Sequence, residues 1–411
     1  MRLGVDTAVL ASTALSIATA LRLKRGTAER ARAAKRAWAR PETFLLLVVA
    51  LVYVNQVLFT VYVLRVHGGD PSFIATYLPE EWFALADGSV MRGVADRFPL
   101  PELLSPSVLR VQAFLELPLV LLAYVTVLRW LDRDLYRRVA GSWQVWAASF
   151  SYTAVFCMVE WDLHNPYTVH DIVIRVCSAA ATPLLLTWLA GREEEHDGRP
   201  TAVTFPQMLL FAVSVWALGH LVLTVYDTAL LYNLGHLDGR LPSATVAMCV
   251  LGAARWAAPR LNNGDGAGIA LSSLVGGLRR ALPLFFVPAL AIRYGVNFGT
   301  PVVAGLAGLL VGLAAAVCAL QETLAGVSKR RIALFAVQAA VALFVGGAAG
   351  FVATRLVTDT YYEAGLLRAA SVCFAAAIAT CALTDHWIGR TRRCDTSEDV
   401  CAERDVGVRP M

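Results

Sequence analysis

The feature that most constrains this chain is a series of apolar runs, each about 20 residues long, that recur from one end to the other. A helix needs about 20 such residues to cross the hydrocarbon core of a bilayer, which is roughly 30 Å thick. Ten runs meet this requirement, at residues 44–64, 108–128, 143–161, 169–189, 205–230, 243–258, 281–298, 301–320, 332–353 and 366–383. A shorter, alanine-rich run at 7–23 fits a first span, an interfacial helix or an uncleaved signal-like start. We therefore expect an all-α fold, a polytopic integral membrane helical bundle with 10–11 transmembrane helices.

The composition also indicates a membrane protein. Hydrophobic residues make up 57% of the 411 residues and charged residues only 16%, whereas about a quarter of the residues of a soluble domain are charged. The chain has three lysines, all in basic stretches outside the apolar runs, which excludes an intramembrane lysine base or Schiff base. The lipid bilayer is the expected partner, and nucleic acid is not. Six of the eight cysteines lie inside apolar runs, and their spacing matches no zinc motif.

Basic residues concentrate in alternate connections, for example eight between Arg22 and Arg40. Cytoplasmic connections are enriched in arginine and lysine. This pattern predicts a cytoplasmic C-terminal tail at 384–411, and an outside N-terminus only if 7–23 crosses the membrane. The chain is rich in Ala and Arg and poor in Lys, which is typical of proteins from a GC-rich genome. We therefore expect a bacterial plasma (inner, cytoplasmic) membrane.

The chain divides into two halves of different character. The half at 1–200 contains a long outer connection at 66–107, whose aromatics and prolines predict an ordered loop, and a polar turn at 159–175. The half at 201–411 has Ala- and Gly-rich runs and an inside stretch at 261–278 that we expect to be irregular.

Two pairs of glycines are spaced four residues apart in this second half, Gly308 with Gly312 and Gly346 with Gly350. This spacing lets two membrane helices approach closely. Both pairs are therefore predicted to pack against a neighbouring helix.

The polar turn, VEWDLHNPYTVHDIVIR, contains three acids, two histidines and an arginine between two apolar runs. Ionisable residues at membrane depth are functional by default. The candidate catalytic residues, as acid, base or metal ligand, are Glu160, Asp162, His164 and His170. Asp171 and Arg175 are four apart and are expected to pair along one helix face. The alternative is a wet interfacial turn whose polar groups are satisfied by headgroups and water.

A second polar group lies on the run at 205–230. His220 and Asp227 are seven apart and share one helix face, and His236 follows in the next outside turn. Together with Asp171 and Arg175, these residues are predicted to line a cavity that opens outward. The alternative for His220 is a neutral side chain that bonds a neighbouring helix.

Several charges fall inside other apolar runs. Burying a lone charge at the centre of a membrane costs about 2.5–3.5 kcal/mol even on the permissive insertion scale. Pairing of Glu116 or Glu160 with Arg175 or Arg293 would lower this cost, as a structural ion pair or as a substrate anchor.

Three segments of the first half occur in a recognisable order, FPLPELLSPS before one run, DLYRRVAG after it, and WDLHNPYTVHDI after the next. In this order the region 44–189 resembles the membrane domain shared by vitamin K-dependent gamma-carboxylases and bacterial horizontally transferred transmembrane (HTTM) proteins. In the carboxylases, the residue that follows the aspartate is the lysine base, whereas here it is Leu163. The resemblance therefore implies an HTTM-like membrane domain without carboxylase chemistry.

These observations predict an intramembrane enzyme or maturation factor that acts on a lipophilic or membrane-bound substrate from the outer face. The alternative is a non-enzymatic transporter, or an accessory or immunity-type membrane protein. Histidines that converge with carboxylates would favour an enzyme, and a polar path from Asp227 to Asp385 would favour a transporter. The sequence identifies no cofactor.

Overall fold

A computed structural model describes most of the chain, and all structural statements below concern this part. The described residues are 2–22, 39–75, 84–98, 107–163, 167–193, 204–230, 232–261, 268–286, 295–296, 298–324, 327–356 and 362–405. Over these ranges the protein is helical and contains no strand. The all-α prediction is therefore confirmed.

The first eight helices are α1 (Arg2–Arg22), α2 (Pro41–Val66), α3 (Ser72–Ala75), α4 (Ser89–Asp96), α5 (Ser107–Leu131), α6 (Arg133–Ala140), α7 (Trp143–Leu163) and α8 (Thr168–Ala190). The remaining six are α9 (Phe205–Val225), α10 (Leu237–Ala257), α11 (Ile269–Phe286), α12 (Pro301–Thr323), α13 (Lys329–Leu356) and α14 (Tyr362–Asp405). A π-helical segment, Tyr226–Leu230, continues α9 directly, and 3-10 turns lie at Leu234–His236 and Ala258–Leu261.

Eight segments are long and apolar enough to cross a bilayer. They are Pro41–Val66, Arg110–Leu131, Thr168–Ala190, Phe205–Leu230, Leu234–Leu261, Pro301–Gln321, Lys329–Leu356 and Ala364–Ile388. The protein is therefore a multi-pass membrane protein. Helix α7 covers its predicted range but is not among these eight segments. The predicted span at 281–298 lies partly outside the described residues, and its first residues belong to α11.

The chain forms two compact units. The first contains Met1–Asp197, Ala217–Cys249 and Arg279–Ala316, and the second contains Gly198–Trp216, Val250–Leu278 and Val317–Met411.

In the first unit, α2, α5, α7 and α8 surround a core of buried aliphatic side chains such as Leu119, Leu122 and Leu186. Hydroxyl groups also link neighbouring helices. For example, the Ser149 hydroxyl on α7 donates to the carbonyl oxygen of Ala179 on α8 at 2.7 Å. Lipid provides no hydrophobic force between helices, so close packing and such hydrogen bonds hold the unit together.

Helix α1 runs antiparallel to α7 within this unit. Its Ser12 hydroxyl lies 2.9 Å from that of Ser151, and a methyl group on Gly4 would lie 2.8 Å from the sulfur of Met158. Asp6 accepts hydrogen bonds from the backbone nitrogen and hydroxyl of Thr300 at 2.8 and 2.6 Å. The run predicted at 7–23 is therefore a helix packed along α7. It begins at Arg2, five residues earlier than predicted.

The two ends of this unit are easily distinguished. One end contains Val66, Leu163 and Thr168, and we call it the predicted outer end. At the other end, Arg129 forms two bonds with Glu193, at 2.8 and 2.9 Å, and one with Glu42 at 2.8 Å.

The segment predicted to be an ordered outer loop contains α3 and α4 in its described part. Arg65 donates to the carbonyl oxygens of Ala95 and Asp96 at 2.7 and 3.1 Å, which fixes the end of α4 against α2. The backbone nitrogen of Gly235 donates to the carbonyl oxygen of Ala84 at 2.5 Å. A Cβ atom on Gly235 would lie 2.9 Å from that oxygen, so only glycine allows this contact.

The second unit contains the α13–α14 hairpin. A methyl group on Gly346 would lie 2.9 Å from the carbonyl oxygen of Cys373, and one on Gly350 would lie 3.1 Å from that of Ala369. The packing prediction is confirmed for this pair. It is wrong for Gly308 and Gly312 in the first unit, since a methyl group on either would meet nothing within 4 Å in the described structure.

The stretch at 261–278 is not irregular throughout, because α11 already begins at Ile269. Asp385 on α14 explains this start. Its two carboxylate oxygens accept from the backbone nitrogens of Ala270 and Leu271, at 3.1 and 3.0 Å. A carboxylate from a distant part of the chain thus accepts hydrogen bonds from backbone N–H groups in the first turn of α11. The local sequence contains no sign of this cap.

Candidate functional site

The charged centre of the first unit is the carboxylate of Glu116, which is 6% exposed. It lies nine residues into α5, about 14 Å along a helix that rises 1.5 Å per residue. The hydroxyl groups of Tyr152 and Tyr226 both donate to its Oε1, and Arg175 donates to its Oε2 at 2.8 Å. The carboxylate is therefore held by three donors from α7, α8 and the segment that follows α9.

Arg175 connects this carboxylate to a second one. Its Nη2 lies 3.7 Å from Oε1 of Glu160, whose side chain is 14% exposed. Its guanidinium also lies over the ring of Phe156, 3.4 Å from the centroid. The predicted pairing of a buried glutamate with Arg175 is confirmed, with Glu116 as the main partner.

Asp171 lies one turn before Arg175 on α8 and is 8% exposed. Its Oδ1 atom is buried and accepts no hydrogen bond in the described structure. The predicted pairing of Asp171 with Arg175 is wrong, because the guanidinium points toward Glu116 and Glu160 instead. One arginine thus serves two carboxylates and leaves an oxygen of the third without a hydrogen bond.

A strained turn follows the π segment. Tyr232 has φ 57°, a left-handed conformation that costs a residue other than glycine about 1–3 kcal/mol. Its ring lies 4.7 Å from that of Phe59. Burial, and next the negative charge of Asp171, raises the pKa of Tyr232. The following residue, Asn233, is 3% exposed, and its Oδ1 accepts no hydrogen bond in the described part.

A chain of amides crosses the same unit. Asn55 donates to Gln112 at 2.7 Å, and Gln112 donates to the carbonyl oxygen of Ala229, inside the π segment, at 2.5 Å. The neighbouring Gln56 is fully buried, and neither its nitrogen nor its oxygen has a hydrogen-bond partner in the described structure. Such groups cost about 1–3 kcal/mol each when left unsatisfied.

Asp227 lies in the π segment and is 5% exposed. It pairs with Arg240 of α10, which donates to it at 2.6 Å. His220 is half-buried one turn before Thr224, whose hydroxyl donates to the His220 carbonyl oxygen at 2.9 Å.

The other predicted residues lie at helix ends. Asp162, His170 and His236 are exposed, and His164 lies outside the described residues. No group of three or more His, Cys, Asp and Glu side chains in the described part could hold a metal ion. The assignment of catalytic roles to these residues stays a prediction.

Sequence reasoning missed Tyr152, Tyr226, Tyr232 and Gln56. The tyrosines lie within or beside apolar runs, where they look like packing residues, and only the neighbouring polar residues Thr153 and Asp227 gave a signal. The left-handed turn at Tyr232 has no glycine to indicate it.

Comparisons with protein-family models, with curated proteins and with solved structures find no match to this chain.

Proposed function

We propose that this multi-pass membrane protein binds a lipophilic or membrane-bound substrate in its first unit, from the predicted outer face. Glu160 and Asp171 are the acid–base groups of this site, and Arg175 and Glu116 position them. The resemblance to HTTM-like membrane domains agrees with a site in this segment.

The observation that carries this proposal is the buried Oδ1 atom of Asp171, which has no hydrogen-bond partner in the described structure. Burying a carboxylate is costly unless a partner compensates for it. A side chain kept in this state is better explained by an interaction with a ligand than by folding.

Glu116 has the opposite character, because three donors satisfy it. Its role is to hold Arg175, which in turn lies beside Glu160. The arginine lies 3.7 Å from Glu160, while the Oδ1 atom of Asp171 remains available to accept a proton or a donor from a substrate.

A transporter is the second candidate, and the π segment Tyr226–Leu230 favours it. Short π segments within helices are frequent at functional sites, and interrupted helices form the substrate sites of many transporters. The predicted inner end of a polar path, Asp385, has both oxygens bonded to the start of α11 and serves as a helix cap. This structural role makes the enzyme or binding hypothesis the stronger one.

The test is to purify the full chain in a mild detergent and to extract bound lipophilic molecules for mass spectrometry. We expect a molecule that copurifies at near-stoichiometric amounts with the parent and is lost from Asp171→Asn. Asp134→Asn, an exposed residue on α6, is the matched control and should retain it. Equal retention by parent and Asp171→Asn, or no bound molecule in the parent, would refute the proposal.

A further inference from the structure

We propose that Gln56 on α2 recognises a neutral, lipophilic ligand through a carboxamide or protonated carboxyl group of that ligand. The site lies between α2 and the end of the π segment. It goes beyond the proposed function, because neither Glu160 nor Asp171 is part of it.

The amide of Gln56 is buried without a partner. The residue is 0% exposed, and both its side-chain nitrogen and its side-chain oxygen lack a hydrogen-bond partner in the described structure. The preceding residue, Asn55, donates to Gln112 at 2.7 Å, so α2 does place an amide against a partner at this level. A buried polar group without a partner destabilises the fold. Two such groups on one side chain are better explained by a ligand than by folding.

Two contacts of α2 show which surface Gln56 faces. The hydroxyl oxygens of Tyr53 and Thr228 lie 2.7 Å apart, and the ring centroids of Phe59 and Tyr232 lie 4.7 Å apart. Gln56 is three residues from both Tyr53 and Phe59, which places it about 60° from each around the helix and midway between them along it. Gln56 therefore lies on the face of α2 that meets the π segment and the turn after it. We call these five residues the amide site.

The amide group determines the chemistry of the ligand. It carries N–H donors and an acceptor oxygen side by side, and it has no charge. A carboxamide or a protonated carboxyl presents the complementary acceptor and donor, so it forms two hydrogen bonds with Gln56 at once. None of the five residues of the amide site is charged, and burying an ion there without an opposite charge would be costly.

The surroundings of Gln56 fit an apolar chain attached to this polar group. Val52 and Val63 lie one and two turns from Gln56 on the same stripe of α2, and both are fully buried, as is Phe59. A lipophilic molecule with one neutral polar end therefore matches the amide site.

The turn at Tyr232 gives the amide site a way to open. Its φ of 57° is strained for a residue with a Cβ atom. Relaxation of this strain offsets part of the cost of separating the rings of Phe59 and Tyr232. The backbone nitrogen of Gly235 donates to the carbonyl oxygen of Ala84, so the same turn is joined to the outer loop. Movement of the turn would admit a ligand to Gln56 from the predicted outer end.

The test uses octanamide as the probe and N,N-dimethyloctanamide, which has no N–H donor, as its control. Thermal unfolding of the purified full chain in a neutral detergent is followed in the parent, Gln56→Met and Gln144→Met. Gln144 is 3% exposed and lies at the opposite end of the first unit, at the start of α7, so its variant is the matched control.

We expect octanamide to raise the Tm of the parent and of Gln144→Met in a saturable way. The dimethyl derivative should bind the parent at least about tenfold more weakly, because it cannot donate to the Gln56 oxygen. In Gln56→Met the affinity for octanamide should fall about ten- to a hundredfold, because two buried hydrogen bonds are lost.

An equal effect of the two amides on the parent would overturn the inference, and this comparison needs no variant. An unchanged affinity for octanamide in Gln56→Met would overturn it as well. Buried water is the competing explanation for the amide of Gln56. It predicts that octanamide leaves the Tm of the parent unchanged and that Gln56→Met unfolds at a lower temperature without any probe. The amide site predicts that Gln56→Met without a probe is at least as stable as the parent, since the unsatisfied amide is gone.

Octanoic acid distinguishes the two sources of the polar group. Stabilisation of the parent at about pH 5 that is lost at about pH 8 identifies a protonated fatty acid, because a carboxyl group is ionised at the higher pH. No effect of octanoic acid at either pH, with octanamide active at both, identifies an amide. Both results support the site. Equal stabilisation by octanoic acid at the two pH values would show that the site accepts a charge and would contradict the inference.

Discussion

Replacement of Arg175 by methionine is the perturbation whose cost follows most directly from the structure. It removes the guanidinium from Glu116, 2.8 Å away, and from the ring of Phe156. Breaking a buried pair by removing one partner costs about 3–5 kcal/mol, because the other charge stays buried without compensation. The double variant Glu116→Gln/Arg175→Met removes both charges, and the tyrosine hydroxyls can still donate to the amide oxygen. We expect the double variant to be at least about 2 kcal/mol more stable than Arg175→Met alone.

The assay is a double-mutant cycle of the free energy of unfolding in detergent, by linear extrapolation from denaturant. The matched control is the exposed pair of Arg92 and Asp87, 3.3 Å apart with side chains 58% and 69% exposed, where Arg92→Ala should cost less than about 1 kcal/mol. If Arg175→Met is as stable as the parent, or if its cost and that of Glu116→Gln simply add, the pair is not a buried coupled unit and the reasoning fails.

Further predictions concern the packing and the caps. Gly346→Leu should destabilise the protein by about 1–3 kcal/mol, because the new side chain would collide with the backbone of Cys373. In Gly308→Leu the new side chain enters open space and should change the Tm little. Equal shifts in the two Tm values would contradict this. Asp385→Ala should cost about 1–2 kcal/mol through the lost cap of α11, and faster hydrogen exchange confined to the first turn of that helix would identify the cause. Uniform exchange along α11 would instead exclude the capping role.

Much of the fold follows from apolar run length alone. The runs predicted at 44–64 and 169–189 correspond to α2, Pro41–Val66, and α8, Thr168–Ala190, within a few residues. Membrane helices carry a strong local signal, since each apolar run must be long enough to cross the whole hydrocarbon core of the bilayer.

The predictions that failed depend on contacts between distant residues. The start of α11 depends on Asp385, more than a hundred residues later. Gly308 and Gly346 have the same local spacing, but only Gly346 has a neighbouring helix in the described structure.

Arg175, Glu160 and Asp171 lie in the polar turn that the sequence singled out, but their pairing was not predictable. Local spacing favoured an Asp171–Arg175 pair, four residues apart, whereas the arginine bonds Glu116, which is 59 residues away. From charge alone, Arg175 could have paired with any of several acidic residues, and the packing of the helices decides which of them it contacts. The roles of Tyr152 and Tyr232 depend on that packing too.

The central claim is that the site containing Asp171 faces the outside of the membrane. The most direct test labels single cysteine variants in intact cells with a membrane-impermeant maleimide, with the parent chain as the background for native thiols. Asp162→Cys lies at the exposed end of α7 beside the site, and Asp134→Cys lies on α6 at the opposite end of the first unit. We predict that Asp162→Cys is labelled in intact cells and Asp134→Cys only after permeabilisation. The reverse pattern would place the site toward the cytoplasm and contradict the account.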